Sequence, residues 1–264
     1  MTILEEYYNK FNEEKRMDSR HGQVELITTM KYIHEILDII ASERKCDKAE
    51  IRIMDIGAGT GCYCIPLADE GYDVSAVELV KHNLGRIKAK SDKVKAKQGN
   101  ALNMKKYADE TFDLTFIFGP MYHLFSVNDK VQALSEALRI TKKGGYVMVA
   151  YCMNEYGVVM YGIKEAMLKK CMEEGRFTED FKTISKEEHL FDYVRIENIN
   201  EINEKAGAMR VKIIAADGPA NYLRPELKAM SDEEFDLFLK YHLSTCERDD
   251  LIGASAHTVD ILQK

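Results

Sequence analysis

Apolar residues recur three and four apart between Ile3 and Ser42, at Leu26, Ile27, Met30, Ile33, Ile36, Leu37 and Ile40, the spacing of an amphipathic helix. The pattern predicts two helices with a break near Asp18 to Gly22. The rhythm then changes. A short apolar run at 51–54 stops in Asp55 and a glycine-rich turn, and CYCIPLADEG follows as a helix closed by Gly71. DVSAVEL (73–79), VKAKQGNA (94–101) and FDLTFIFG (112–119) read as further strands, with LGRIKAKS as a helix between the first two. The helix VQALSEALRI leads through Lys142 to Gly145 into a fifth strand, YVMVAY. Strands alternating with helices in this way call for an α/β fold, a doubly wound and mostly parallel sheet.

After Cys152 about 55 residues rich in Glu, Lys and Met pass before the next strand, MRVKIIAA at 209–216, too long a stretch for a plain crossover. Helical periodicity at 163–172 and the segment HLFDYVRI predict a small lobe over the carboxyl edge of the sheet. The helix SDEEFDLFLKYHLS and the strand HTVDILQ complete the pattern. The expected organisation is an N-terminal helical lid (1–45), a core (46–152 and 209–264) and an inserted substrate cap (153–208).

Composition narrows the function classes. A chain of 264 residues is large enough to bury roughly 70% of its unfolded surface, which suits one large core or a core plus an appended lobe. The formal charge of −7 offers no broad attraction to nucleic acid or anionic lipid. MTILEEYYNK lacks the pattern of a secretory signal and no run of 18 apolar residues occurs, so the expectation is a cytoplasmic protein with no membrane partner. Six cysteines form no CxxC pair and seven histidines form no close-spaced ligand pattern, so reduced thiols and no metal are expected. Thirteen methionines and fourteen tyrosines suit either an adaptable pocket or an ordinary core.

Asp55-Ile56-Gly57-Ala58-Gly59-Thr60-Gly61 carries the strongest chemistry. Its glycines let the backbone turn tightly against a ligand, and Asp55 sits where a strand-end carboxylate meets it. Glu78, at the end of the second strand, is placed to accept the hydroxyls of an adenosine ribose. The glycine spacing departs from the dinucleotide G-x-G-x-x-G, and GAGTGCYC has no G-K-[ST] ending for a nucleotide phosphate. An adenosine ligand with a cationic end remains.

These residues resemble the class I S-adenosylmethionine-dependent methyltransferases. DIGAGTG resembles the family's first motif, VSAVEL its second, QGNA the segment holding adenine, FDLTFIFGPMYHL its fourth, and LRITKKGGYVMVAY its fifth strand. The resemblance covers roughly 50–152 and implies a seven-stranded, Rossmann-like sheet whose last hairpin is antiparallel. It implies S-adenosyl-L-methionine as cofactor and S-adenosyl-L-homocysteine as product, held by Asp55, Gly57, Ala58, Gly59, Gly61, Glu78, Asn100, Ala101 and Gly119, with Tyr8 and Arg20 from the lid. The family commonly has an acid where Asn100 stands. At the fourth strand, nucleic-acid amino-methyltransferases carry [DNS]PP[YFW], whereas this chain has GPMYH, which turns the reading toward a small-molecule acceptor and away from DNA or RNA. GPMYHL with a YYNKFN-like N-terminal segment resembles a subgroup of small-molecule or uncharacterised methyltransferases.

Methyl transfer by in-line displacement needs alignment and desolvation more than paired acids. His123 is placed to take a proton from an acceptor or to orient it, or else caps a helix, and Tyr122 to bond an acceptor or to pack. Three other readings stay open: a protein methyltransferase, a non-catalytic adenosine-ligand binder and an NAD-dependent oxidoreductase. Either a monomer or a homodimer is compatible with the sequence.

Overall fold

The computed structural model describes residues 3–10 and 13–264, apart from the side chains of Glu13, Glu14 and Glu187. Phe11 and Asn12 of the YYNKFN segment lie outside the described residues. Three helices come first: α1 (Ile3–Lys10), α2 (Glu13–Met17) and α3 (Arg20–Arg44). The expected break falls at Asp18 and Ser19, where the Ser19 hydroxyl accepts from Gly22 N and caps α3. A Cβ on Gly22 would stand 2.2 Å from the Arg16 carbonyl oxygen, so the α2–α3 corner closes only on glycine.

The alternating part follows as β1 (Arg52–Ile56), α4 (Cys64–Asp69), β2 (Asp73–Glu78), α5 (Lys81–Lys90), β3 (Lys95–Gln98), β4 (Phe112–Ile117), α6 (Val127–Ile140) and β5 (Thr141–Cys152). Beyond it lie α7 (Asn154–Gly157), a π-helical turn (Val158–Ile163), α8 (Leu168–Glu173), α9 (Ile196–Ala206) and β6 (Met209–Ala215). The chain finishes with α10 (Arg224–Ala229), α11 (Asp232–Thr245), α12 (Asp249–Ile252) and β7 (His257–Gln263). The seven strands lie in the order β3-β2-β1-β4-β5-β7-β6, with β7 antiparallel to both neighbours and the other pairs parallel. This is the seven-stranded, mostly parallel, doubly wound sheet that the sequence calls for.

Because strand side chains alternate, the sheet has two apolar faces. Ile53, Leu114, Phe116 and Met148 pack on one, against α4 and the long helix α3 through Ile33, Ile36, Leu37 and Ile40. Met54, Ile117, Val147 and Val149 pack on the other, against α6 and, through Ile199 and Ile202, α9. Thus α3, within the 1–45 lid segment, and α9, within the 153–208 cap segment, are layers of the sandwich. At the carboxyl edge, Leu190 and Asp192 bond to His123 and Tyr122 in the turn after β4, and Tyr8 of α1 reaches the same His123. No helix among the described residues is long and apolar enough to cross a membrane.

Candidate active site

The turn after β1 runs through Gly57, Gly59 and Gly61, all at positive φ (77°, 55° and 94°). Gly57 is indispensable for space as well as for conformation, since a Cβ there would meet the Pro120 ring at 2.5 Å. The turn also consumes its own donors. Gly57 N donates to Val77 O (2.7 Å) and Gly61 N to Ala58 O (2.9 Å). Glu78, buried at the end of β2, accepts from Gly59 N through one carboxylate oxygen and from Val80 N through the other, each at 2.8 Å.

Asp55, on β1, is 1% exposed, and its Oδ2 is buried without a hydrogen-bond partner. Burial, reinforced by the Glu78 carboxylate, pushes its pKa up to about 7. Both acids line a cavity of about 180 Å³ beyond the carboxyl ends of β1 and β2, which Gly57, Gly59, Asn100, Ala101 and Gly119 also border. Asn100 uses Oδ1 to accept from Leu102 N (3.0 Å), which holds the turn after β3.

His123 lies in the 3-10 turn after β4 (Pro120–His123) and reaches the same cavity. Its Nδ1 stands 2.8 Å from the Leu190 carbonyl oxygen and its Nε2 2.9 Å from the Tyr8 hydroxyl. A carbonyl only accepts, so Nδ1 carries the proton and Nε2 accepts from Tyr8. Burial lowers the ring's pKa to about 4, against the opposing pull of the Leu190 carbonyl, so the imidazole is neutral at pH 7. Tyr122 packs beside it, with ring centroids 5.0 Å apart.

A second set of charges closes the far wall. His257, at the start of β7, places Nδ1 2.6 Å from Asp217 Oδ2 and 3.6 Å from Glu25 Oε2. Glu25 on α3 is bridged in turn by Arg16 Nη1 at 2.6 Å. Burial opposes a charged His257, yet the Glu25 and Asp217 carboxylates outweigh it and hold the ring's pKa well above its ordinary value. Asp217 and Glu25 both stay ionised, their pKa values lowered, Asp217 by His257 and Glu25 chiefly by Arg16, each against the cost of burial. Among the described residues these three are the group whose ligand atoms converge, within 4.8 Å of one another. Asp217 already accepts from Ser255 Oγ, Asn221 Nδ2 and the backbone and ring of His257, so the cluster reads as a satisfied ion network.

Comparison with known proteins bears on this arrangement directly. Residues 54–149 match the family model described as a methyltransferase domain. The demethylmenaquinone methyltransferase of Renibacterium salmoninarum is 38% identical over 100 residues, 38% of this chain and 40% of that protein. The enzyme of the same name from Alkalihalophilus pseudofirmus is 37% identical over 107 residues, 36% of this chain and 42% of that protein. Residues 54–149 form a methyltransferase domain.

Solved methyltransferase structures share the fold over nearly the whole chain. A possible histamine N-methyltransferase from Thermotoga maritima superposes with a TM-score of 0.56 at 20% identity, covering 99% of this chain and 98% of that one. A SAM-dependent methyltransferase from Archaeoglobus fulgidus gives 0.57 at 18%, covering 96% and 97%. The curated relatives, by contrast, are matched over about two fifths of their own length.

The structure gathers Asp55, Gly57, Ala58, Gly59, Glu78, Asn100, Ala101 and Gly119 around one cavity, with Tyr8, Tyr122 and His123. Gly61 does not line it but shapes the turn beneath. Arg20 is not brought there. Its guanidinium bonds the Ser231 carbonyl and Asp232 and lies over the Phe235 ring, tying α3 to α11. The cap at Ser19 breaks the helical phase, so Arg16, one turn earlier in sequence, takes the cavity position instead. Arg20→Ala is therefore expected to leave cofactor affinity within twofold by calorimetry, and to cost at most about 1 kcal/mol of stability because the Asp232 partner is solvated. Sequence reasoning missed Glu25, Asp217 and His257, which lie on separate elements with no motif to join them.

Proposed function

We propose that the chain transfers a methyl group from S-adenosylmethionine to a nucleophilic atom of a small molecule. The observation that carries this reading is the pairing of Asp55, with an orphaned buried oxygen, and Glu78, a fixed carboxylate, in a turn whose Gly57, Ala58, Gly59 and Gly61 amides already have acceptors. A pyrophosphate would need those amides and would face two acids. An adenosine ligand ending in an amino acid suits them: Asp55 would hold the ammonium, Glu78 the ribose hydroxyls, and Asn100 and Ala101 would border the adenine. The methyltransferase names of the sequence relatives support the same donor and a small-molecule acceptor.

S-adenosylmethionine supplies a methyl group on a sulfonium, ready for in-line attack. The chain's part is to align and to exclude water. Tyr8 and Met17 of the N-terminal helices cover the cavity. Neutral His123 fixes the Tyr8 hydroxyl through Nε2, which places Tyr8 to receive a hydrogen bond from an acceptor. We infer that α1, α2 and the segment after β5 enclose that acceptor.

Calorimetric titration with S-adenosylmethionine, S-adenosylhomocysteine and NAD tests the reading, and binding of NAD alone overturns it. The pH dependence is a sharper check. Asp55 is half protonated near pH 7 in the free protein and must ionise to pair with an ammonium. Affinity should rise as the pH goes from 5 to 7, with a proton released on binding. It should fall again above about 8, where an α-amino group loses its charge. In the free protein the same shift works the other way: its contribution to stability is full below the ordinary carboxyl value and is lost as the pH rises through about 7. A flat affinity from pH 5 to 7 would remove Asp55 from this role.

A further inference from the structure

Next to the donor cavity, and sharing Tyr8, Arg16, Tyr122 and His257 with it, lies a second chamber of about 480 Å³. Of the residues that line it, Tyr122 alone falls within the segment 54–149 matched by the methyltransferase family model. Its specificity is therefore this chain's own, and the acceptor of a sequence relative does not transfer to it by similarity.

The walls are aromatic. Tyr7 packs edge-on against Tyr8 (centroids 5.2 Å apart) and Phe191 (5.7 Å), Phe191 leans on Tyr122 (6.0 Å), and Tyr156 meets Tyr161 (6.2 Å). Such faces take a flat ring by stacking and edge contacts. They also attract cations, but the charges at this wall point the other way. Lys15, Arg16 and Arg224 line the chamber, and among the described residues no Asp or Glu does.

Arg16 is neutralised by Glu25. Arg224 is not. It donates through Nε and Nη2 to Asn221 Oδ1 (3.0 and 2.5 Å) and through Nη2 to the Tyr156 hydroxyl (3.0 Å), all neutral groups that fix the plane of the guanidinium. Among the described residues no carboxylate lies within ion-pair distance of it, and Nη1 has no hydrogen-bond partner. The field is felt locally: burial first, then Arg224 and Arg16, lower the pKa of His21 on the same wall, which keeps that ring neutral. A fixed guanidinium with a spare N–H edge is the geometry that receives an oxyanion.

We propose that the methyl acceptor is an aromatic compound bearing an oxyanion, a carboxylate or a phosphate, with its ring among Tyr7, Tyr122, Tyr156 and Phe191, its anionic group on Arg224, and its nucleophilic atom turned toward the donor cavity at Tyr8. This rests on the methyltransferase reading. In the transfer, the acceptor atom forms a bond to the methyl carbon as the bond from that carbon to the sulfonium sulfur breaks. The sulfonium leaves as a neutral thioether, and the acceptor's proton passes to solvent.

The test uses full-length protein. S-adenosylhomocysteine affinity is measured first, and its absence fails the methyltransferase reading on its own. On the loaded protein, 4-hydroxybenzoate, phenyl phosphate, neutral 4-hydroxybenzyl alcohol and cationic tyramine are then titrated. At least one anion should bind tenfold or more tightly than the alcohol and tyramine, and the better of the two distinguishes carboxylate from phosphate. Arg224→Gln should abolish that preference and Arg224→Lys restore part of it, with S-adenosylhomocysteine affinity unchanged in both. Equal or better binding of the alcohol or tyramine, no binding of any probe to loaded protein, or a preference that survives Arg224→Gln overturns the proposal.

Discussion

Glu78→Ala should weaken S-adenosylmethionine binding by about 100-fold, roughly 3 kcal/mol, in calorimetry at pH 7.5. Two losses combine in that figure. The charged acceptor proposed for the ribose hydroxyls disappears, and so do the bonds to Gly59 N and Val80 N that hold the glycine turn in register with β2. Glu78→Gln separates them. Its one remaining acceptor oxygen can serve either Gly59 or Val80 while its amide nitrogen opposes the other, so it should fall between the wild type and the alanine variant. A change of less than threefold for Glu78→Ala would reject the assignment.

Asp217→Ala should lower the melting temperature by about 10 °C, corresponding to roughly 3–5 kcal/mol for breaking a buried ion pair from one side. Asp217 is 0% exposed and accepts from four donors, so its removal leaves the Asn221 amide without its acceptor and the His257 ring with Glu25, at 3.6 Å, as its remaining anion. The pH dependence carries a definite sign. Asp217, with a lowered pKa, contributes stability above the ordinary carboxyl range that is lost as the pH falls through its folded value. His257, with a raised pKa, contributes stability that is complete below about 6.5 and is lost as the pH rises through its folded value. The gap between wild type and variant should be widest between about pH 5 and 6.5. A melting temperature within 2 °C of wild type across that window would show that the network does not hold the wall together.

The half of the molecule around the β1–β2 cavity was legible because each signal there is local. Period-two and continuous apolar runs give β1, β2, β4 and β5, and DIGAGTG with Glu78 marks that cavity within 25 consecutive residues. The wall built by Glu25, Asp217 and His257 was not legible, because nothing local marks it. Glu25, Asp217 and His257 come from α3, from the loop after β6 and from β7, and only the folded sheet makes them neighbours. Arg20 failed for a different reason: a cap between two helices resets the angular position of every following side chain, so sequence proximity to Tyr8 and Arg16 carried no information about facing. The apolar spacing of Ile196, Ile199 and Ile202 was present in the sequence, but it lay within a stretch too long for a simple crossover and was grouped with the cap rather than with the core.

The strand order β5-β7-β6 has a consequence for how the molecule assembles. β6 has no partner in the sheet except β7, and β7 is the last strand along the chain. Until β7 docks, β5 presents an open edge and β6 is unattached, a state in which exposed edges invite pairing with other chains. The pairing that closes this gap joins segments about a hundred residues apart, so it is expected among the slower steps of folding. The same event delivers His257 to Asp217, so the sheet becomes continuous and the wall between the two chambers becomes charged in a single step.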